Sequence, residues 1–127
     1  MTMTEGMVGP DALSARDGRL AVAVHLPWYR SLPVSCVESV RVSVDGVPAP
    51  VRSVHVGDFA GRVEEAAGSE GSWDLRDPLD VVLDVAASQG ETHAVEVALA
   101  VRIPYIQQAP GVALVQRATA RTEGTLR

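Results

Sequence analysis

Residues 19–51 read RLAVAVHLPWYRSLPVSCVESVRVSVDGVPAPV and hold two alternating apolar patterns, separated by the one pair of adjacent aromatic residues in the chain. Side chains alternate across a β-strand with a period of two. Leu20, Val22, Val24 and Leu26 therefore share one face of a half-buried strand. Val40, Val42 and Val44 do the same, with Arg41 and Ser43 opposite, and Asp45-Gly46 follows directly before Val47. Asp-Gly between apolar runs favours a type I′ hairpin, because both of its central residues must tolerate positive φ. The connector Pro27-Trp28-Tyr29-Arg30-Ser31-Leu32-Pro33 is too aromatic for a plain loop and too proline-bounded for a strand. It reads as a surface meant to be covered.

The same alternation continues outward. Pro48 and Pro50 cannot donate to a ladder, which confines Val47 to Val51 to an edge or a short strand. Val54 and Val56 resume the pattern, and Leu79, Val81, Leu83 and Val85 mark another strand with Asp80 and Asp84 outward. The longest candidate runs from Thr92 to Ile103, with Val95, Val97, Leu99, Val101 and Ile103 on one face. Pro104 is expected to interrupt it, and a last apolar stretch spans Val112 to Ala118. The segment GRVEEAAGSEGS, residues 61–72, is small and acidic and fits one helical turn with a mobile loop. No helix longer than two turns is compelling. Seven or so short strands separated by Gly, Pro and Asp signals predict a single-domain, all-β antiparallel β-sandwich of immunoglobulin-like or related topology. Val22, Val24, Val42, Val44, Val97, Leu99 and Val101 should lie inside it. The expected limits are a lead-in over 1–18 that begins disordered, the sandwich over 19–120 and a charged tail over 121–127.

A length of 127 residues suffices for one domain with a real core. With 46% apolar and 21% charged residues the composition is that of a soluble globular protein, and the formal charge of −5 argues against nucleic acid or an anionic membrane as partner. No apolar run approaches the length of a bilayer span, and the N-terminus MTMTEGMVGP lacks the charged and apolar regions of a secretion signal, so a cytoplasmic location is expected. One cysteine, Cys36, permits no internal disulfide and no thiolate metal site, and reads as a small hydrophobe at the core edge.

Chemistry-bearing motifs are absent from this sequence. His25, His55 and His93 fall in different strands without neighbours at ligand spacing. Asp74, Asp77, Asp80 and Asp84 crowd one segment, but they lack the glycine and terminal glutamate of a calcium loop and fit a solvated sheet face. There is no nucleophile elbow, no phosphate loop and no paired Cys and His, so no catalytic residue and no metal ligand is assigned to this chain. Trp28, Tyr29 and Arg30 between Pro27 and Pro33 combine the residue types that most often anchor interfaces. The alternative is that Trp28 simply caps one end of the sandwich. A small acidic β domain with a stiff aromatic corner and no catalytic motif is what a binding or accessory subunit looks like.

Three blocks carry a family resemblance: LPWYRSLPVSCVESVRVSVDG from Leu26 to Gly46, Trp73-Asp74-Leu75 ahead of a valine strand, and VEVALAVRIPYI from Val95 to Ile106. In these the chain resembles the small beta subunit of bacterial C-glycoside deglycosidases. The resemblance implies a partner alpha subunit with a TIM-barrel, sugar-isomerase-like fold that holds a divalent metal, manganese or magnesium, together with the catalytic bases. It also implies a 3-oxo-C-glucoside substrate. The C3 ketone acidifies the adjacent proton, a base removes it, the metal stabilises the enolate, and the aglycone carbon leaves by elimination. This chain would then be the non-catalytic subunit of a carbon-carbon lyase, with Pro27, Trp28, Tyr29, Arg30 and Pro33 at the partner interface. The competing reading of the residues is a stand-alone immunoglobulin-like carbohydrate-binding or protein-interaction module, or a homodimer closed on the same corner.

Overall fold

In the computed structural model, which describes residues 6–127, eleven strands succeed one another. They are β1 (Leu13–Arg16), β2 (Arg19–Val24), β3 (Leu32–Pro33), β4 (Val37–Val44), β5 (Val47–Ala49), β6 (Val51–Val56), β7 (Phe59–Gly61), β8 (Ser72–Trp73), β9 (Leu79–Ala86), β10 (Thr92–Ala109) and β11 (Val112–Thr125). All pairings are antiparallel. One sheet has the order β1-β2-β9-β6-β7, the other β11-β10-β4-β5, and β3 pairs with β8 in a small ribbon. Taking β1, β2, β4, β6, β9, β10 and β11 as strands A to G, the sheets are A-B-E-D and G-F-C, with β5 as an added C′. That is the immunoglobulin constant-type arrangement. β7, paired with β6, is an extra strand at the D edge.

The expected turn is present, with Asp45 at φ 51° and Gly46 at φ 82°. A second one, Asp17-Gly18 at 51° and 77°, joins β1 to β2. In both, the positive φ of the two central residues matches the strand twist that a type I′ turn provides.

Alternate residues along the strands of each sheet point into one apolar core. Leu20, Val22 and Val24 of β2, Val54 and Val56 of β6, and Leu79, Val81 and Leu83 of β9 meet Val40, Val42 and Val44 of β4 and Val95, Val97, Leu99 and Val101 of β10. All seven core positions expected from the alternation are buried. One irregularity improves the fit: the β4–β10 register passes from Ser39↔Ala100 to Val37↔Val101, so Glu38 is an extra, bulged residue. The bulge turns Val37 inward and leaves Glu38 outside, where it pairs with Arg102 at 3.0 Å. Trp73 on β8 is fully buried and donates its indole N–H to the Asp77 carbonyl at 2.8 Å, so a large ring is buried without stranding its polar atom.

Several features extend beyond the sequence reading. Pro104 does not end β10; the strand runs on to Ala109, with register shifts between Ile103 and Gln107. Residues 61–72 contain a 3-10 helix, Val63–Gly68, in which the Arg62 N–H bonds to Glu65 Oε1 at 2.8 Å and Ala66 is buried. The domain limits lie further out than 19–120. Met7 and Leu13 are buried in the core, and His25 N–H donates to the Met7 carbonyl at 2.8 Å. At the other end Leu126 is buried, and the Arg127 backbone exchanges hydrogen bonds with Leu13 and Ala15 on β1. The disordered start expected from the sequence falls on residues 1–5, outside the described ones.

Gly124 marks where these ends meet. A Cβ there would stand 2.5 Å from the Pro10 carbonyl oxygen, a backbone atom that cannot swing aside. Gly124→Ala should therefore destabilise the chain by about 1–3 kcal/mol, read as a lowered melting temperature. Gly68→Ala, where nothing lies within 4 Å, should leave the melt nearly unchanged.

Candidate partner interface

The connector after β2 leaves the core through Pro27, which is buried, and re-enters the fold at Pro33, which is exposed and pairs with Ser72 in the β3–β8 ribbon. The two prolines limit the backbone between them. Trp28 is half-buried and packs against the core, and its ring lies 5.0 Å from that of Tyr29 at an interplanar angle of 43°. Tyr29 is 56% exposed. Trp28 Nε1 donates to the Tyr105 hydroxyl at 2.6 Å, and the Arg30 guanidinium carbon sits 5.4 Å from the centroid of the Tyr105 ring. That separation is within cation–π range. Arg30 has no carboxylate at salt-bridge distance among the described residues, so the aromatic face is the charge-stabilising neighbour it has.

Two residues complete this corner that were not singled out from the sequence. Tyr105, 47% exposed, comes from β10 immediately after Pro104, and Leu75, 39% exposed, comes from the turn after Trp73. The Leu75 N–H donates to Ser31 Oγ at 3.1 Å, which ties that turn to the connector. Both residues lie in the sequence blocks that carry the family resemblance, but a lone Tyr beside a proline and a lone Leu in a turn have no periodicity to mark them as exposed. The assembled patch presents Tyr29 and Tyr105 to solvent beside Arg30, with Leu75 exposed on the turn tied to the connector. Trp28 is neither a free anchor nor a pure end cap: its ring packs inward while its N–H fixes Tyr105.

No group of three or more His, Cys, Asp or Glu side chains comes together as a metal-binding set among the described residues. Cys36 is buried, and burial pushes its thiol above the usual range despite the nearby Arg102. It is a packing residue. Asp80 and Asp84 lie on the outer sheet face beside Arg16, Arg19 and Arg52 at 3.2 to 3.9 Å. His25 is exposed, and His55 bonds Ser53 Oγ at 3.0 Å. His93 is held from both sides, Nδ1 2.7 Å from Asp45 Oδ2 and Nε2 2.9 Å from Glu91 Oε1, while Asp45 Oδ1 accepts the Ala94 N–H at 2.9 Å. This ties the Asp45-Gly46 turn to the start of β10.

The family model described as C-glycoside deglycosidase beta subunit matches residues 17–105. A C-glycoside deglycosidase beta subunit of Arthrobacter globiformis is 38% identical over 117 residues, covering 87% of each chain. A second from the same organism is 41% identical over 97 residues, covering 72% of this chain and 73% of its own. The 3'-dehydrocarminate deglycosidase beta subunit of a Microbacterium species is 34% identical over 106 residues, or 80% of each chain.

The His93 cluster predicts a pH dependence of stability. Hydrogen bonds to Asp45 and Glu91 raise the His93 pKa above its ordinary value, while the bond from Ala94 and that from His93 lower those of Asp45 and Glu91 respectively. A raised folded-state pKa stabilises the fold most below the unfolded value of about 6.5 and is lost as pH rises through the folded one. The lowered carboxylates act in the opposite sense, contributing above about 4 and losing it below. His93→Gln should thus lower the melting temperature most between about pH 4.5 and 6.5, with the difference from wild type shrinking at higher pH. A difference that grows with pH would overturn this assignment.

Proposed function

Because the chain belongs to the C-glycoside deglycosidase beta subunit family, we propose that it is the non-catalytic subunit of a complex that cleaves the carbon-carbon bond of a 3-oxo-C-glucoside by elimination. The observation that supports an accessory role is the corner itself. Tyr29 and Tyr105 are held in place by Trp28 and Arg30, yet remain about half exposed. Aromatic side chains pre-positioned in this way lose little entropy on docking and serve as interface anchors.

The catalytic bases and a divalent metal, manganese or magnesium, then belong to the partner alpha subunit of TIM-barrel, sugar-isomerase-like fold. Removal of the proton next to the C3 ketone and expulsion of the aglycone carbon, which takes up a proton, would leave an unsaturated keto-sugar and free aglycone; a divalent metal held by the alpha subunit would supply Lewis-acid stabilisation of the developing charge. This chain contributes by buttressing the barrel's loops through the exposed Tyr29, Arg30 and Pro33, while the buried Pro27 and the inward-packed Trp28 hold the connector in place. No helix among the described residues is long and apolar enough to cross a membrane, which is compatible with a cytoplasmic complex.

Co-expression with the partner tests the role directly: the two chains should co-purify, and neither alone should release aglycone from a 3-oxo-C-glucoside. Tyr29→Ala should weaken assembly about tenfold or more while leaving the melt of the free chain nearly unchanged, since Tyr29 is exposed. Trp28→Ala should lower both. Replacing His25, His55 and His93 together by Gln should leave the metal content of the purified complex unchanged, and loss of the metal by direct ligation would move the chemistry into this chain.

A further inference from the structure

We propose that the far end of the β10–β11 hairpin, residues 104–113, is a docking arm that the partner subunit covers, continuous with the Trp28, Tyr29 and Arg30 corner through Tyr105. The inference rests on the beta-subunit reading above and extends the contact surface for the same partner beyond the corner. β10 pairs with β4 only from Val95 to Val101, whereas its ladder with β11 continues to Ala109↔Val112. Beyond Ile103 the hairpin therefore has no strand on the β4 side, and β11 is itself the edge of the sheet.

Two-stranded ribbons with both edges open are marginal in water, and natural proteins blunt such edges with charge. This one carries no charge, and Pro104 and Pro110 are the only blunting residues along it. From Ile103 to Gln116 the chain reads IPYIQQAPGVALVQ, and its nearest charges are Arg102 and Arg117. Arg102 points back to the body, to Glu38 and the Ser35 carbonyl. Within the arm Pro104, Tyr105 and residues 107–112 are exposed, Val112 at 47%. A partner that buries these side chains also dries the adjoining backbone, whose N–H and C=O groups it must then pair. A beta subunit has by name a different chain beside it, and Tyr105 belongs to arm and corner at once, so the partner subunit rather than a second copy is the occupant.

Hydrogen exchange on the free chain and on the co-purified complex tests this. The amides of residues 105–109 should exchange rapidly in the free chain and slow at least tenfold in the complex. Gln108→Lys with Val112→Lys, both at exposed positions, should weaken assembly tenfold or more with an unchanged melt. A complex in which 105–109 stay fast, or which the double variant forms as well as wild type, would overturn the arm and leave the subunit assignment standing. Protection that appears in the free chain as its concentration rises would assign the arm to a second copy and overturn the proposal. Failure of the wild-type chain to co-purify with any partner would remove the subunit reading and the arm with it.

Discussion

The structure depends on a dry interior. The described residues place no polar or charged side chain in the buried set, and no buried side-chain nitrogen or oxygen lacks a partner. A core made so largely of valine and leucine offers little directional chemistry, and its specificity comes from shape and from the closure of its open ends. Trp73 seals the side of the β3–β8 ribbon, and Met7, Leu13 and Leu126 seal the edge where the two chain ends meet. Because cohesion is supplied inside, the outer surface is free to carry exposed aromatics without loss of fold.

That freedom is distributed unevenly along β10. At its start His93 is clamped by two carboxylates, and near its end Tyr105 opens the uncharged arm. Twelve residue steps of strand separate them, roughly 40 Å at the usual rise. One end is thus fixed by ion pairs within the chain and the other is left without charge, so the domain has a charged pole and an uncharged one joined by its longest strand.

What could be read from the residues follows the same division. Where strands have one buried face the period-two pattern is strong, and Val22, Val42, Val97 and their neighbours declared themselves. The Asp45-Gly46 turn was equally legible. Asp17-Gly18 was not, although its chemistry is the same, because β1 shows Ser14 and Arg16 beside a single fully buried Leu13 and no apolar run announces a strand. The Glu38 bulge, the contact of Gly124 with Pro10 and the meeting of Trp28 with Tyr105 across 77 positions are tertiary facts that no local pattern encodes. The corner was found from residue type, but only in part, since Leu75 and Tyr105 join it from elsewhere in the chain.

The backbone bonds between Leu13, Ala15 and Arg127, with Gly124 against Pro10, join the first strand to the last residues of the chain. Contacts of such long sequence separation carry a large loop-closure cost and slow folding. β1 completes its backbone bonding only when residues 13 and 15 meet residue 127, more than 110 positions away. Closing this edge is therefore a non-local step, separate from the local β1–β2 hairpin.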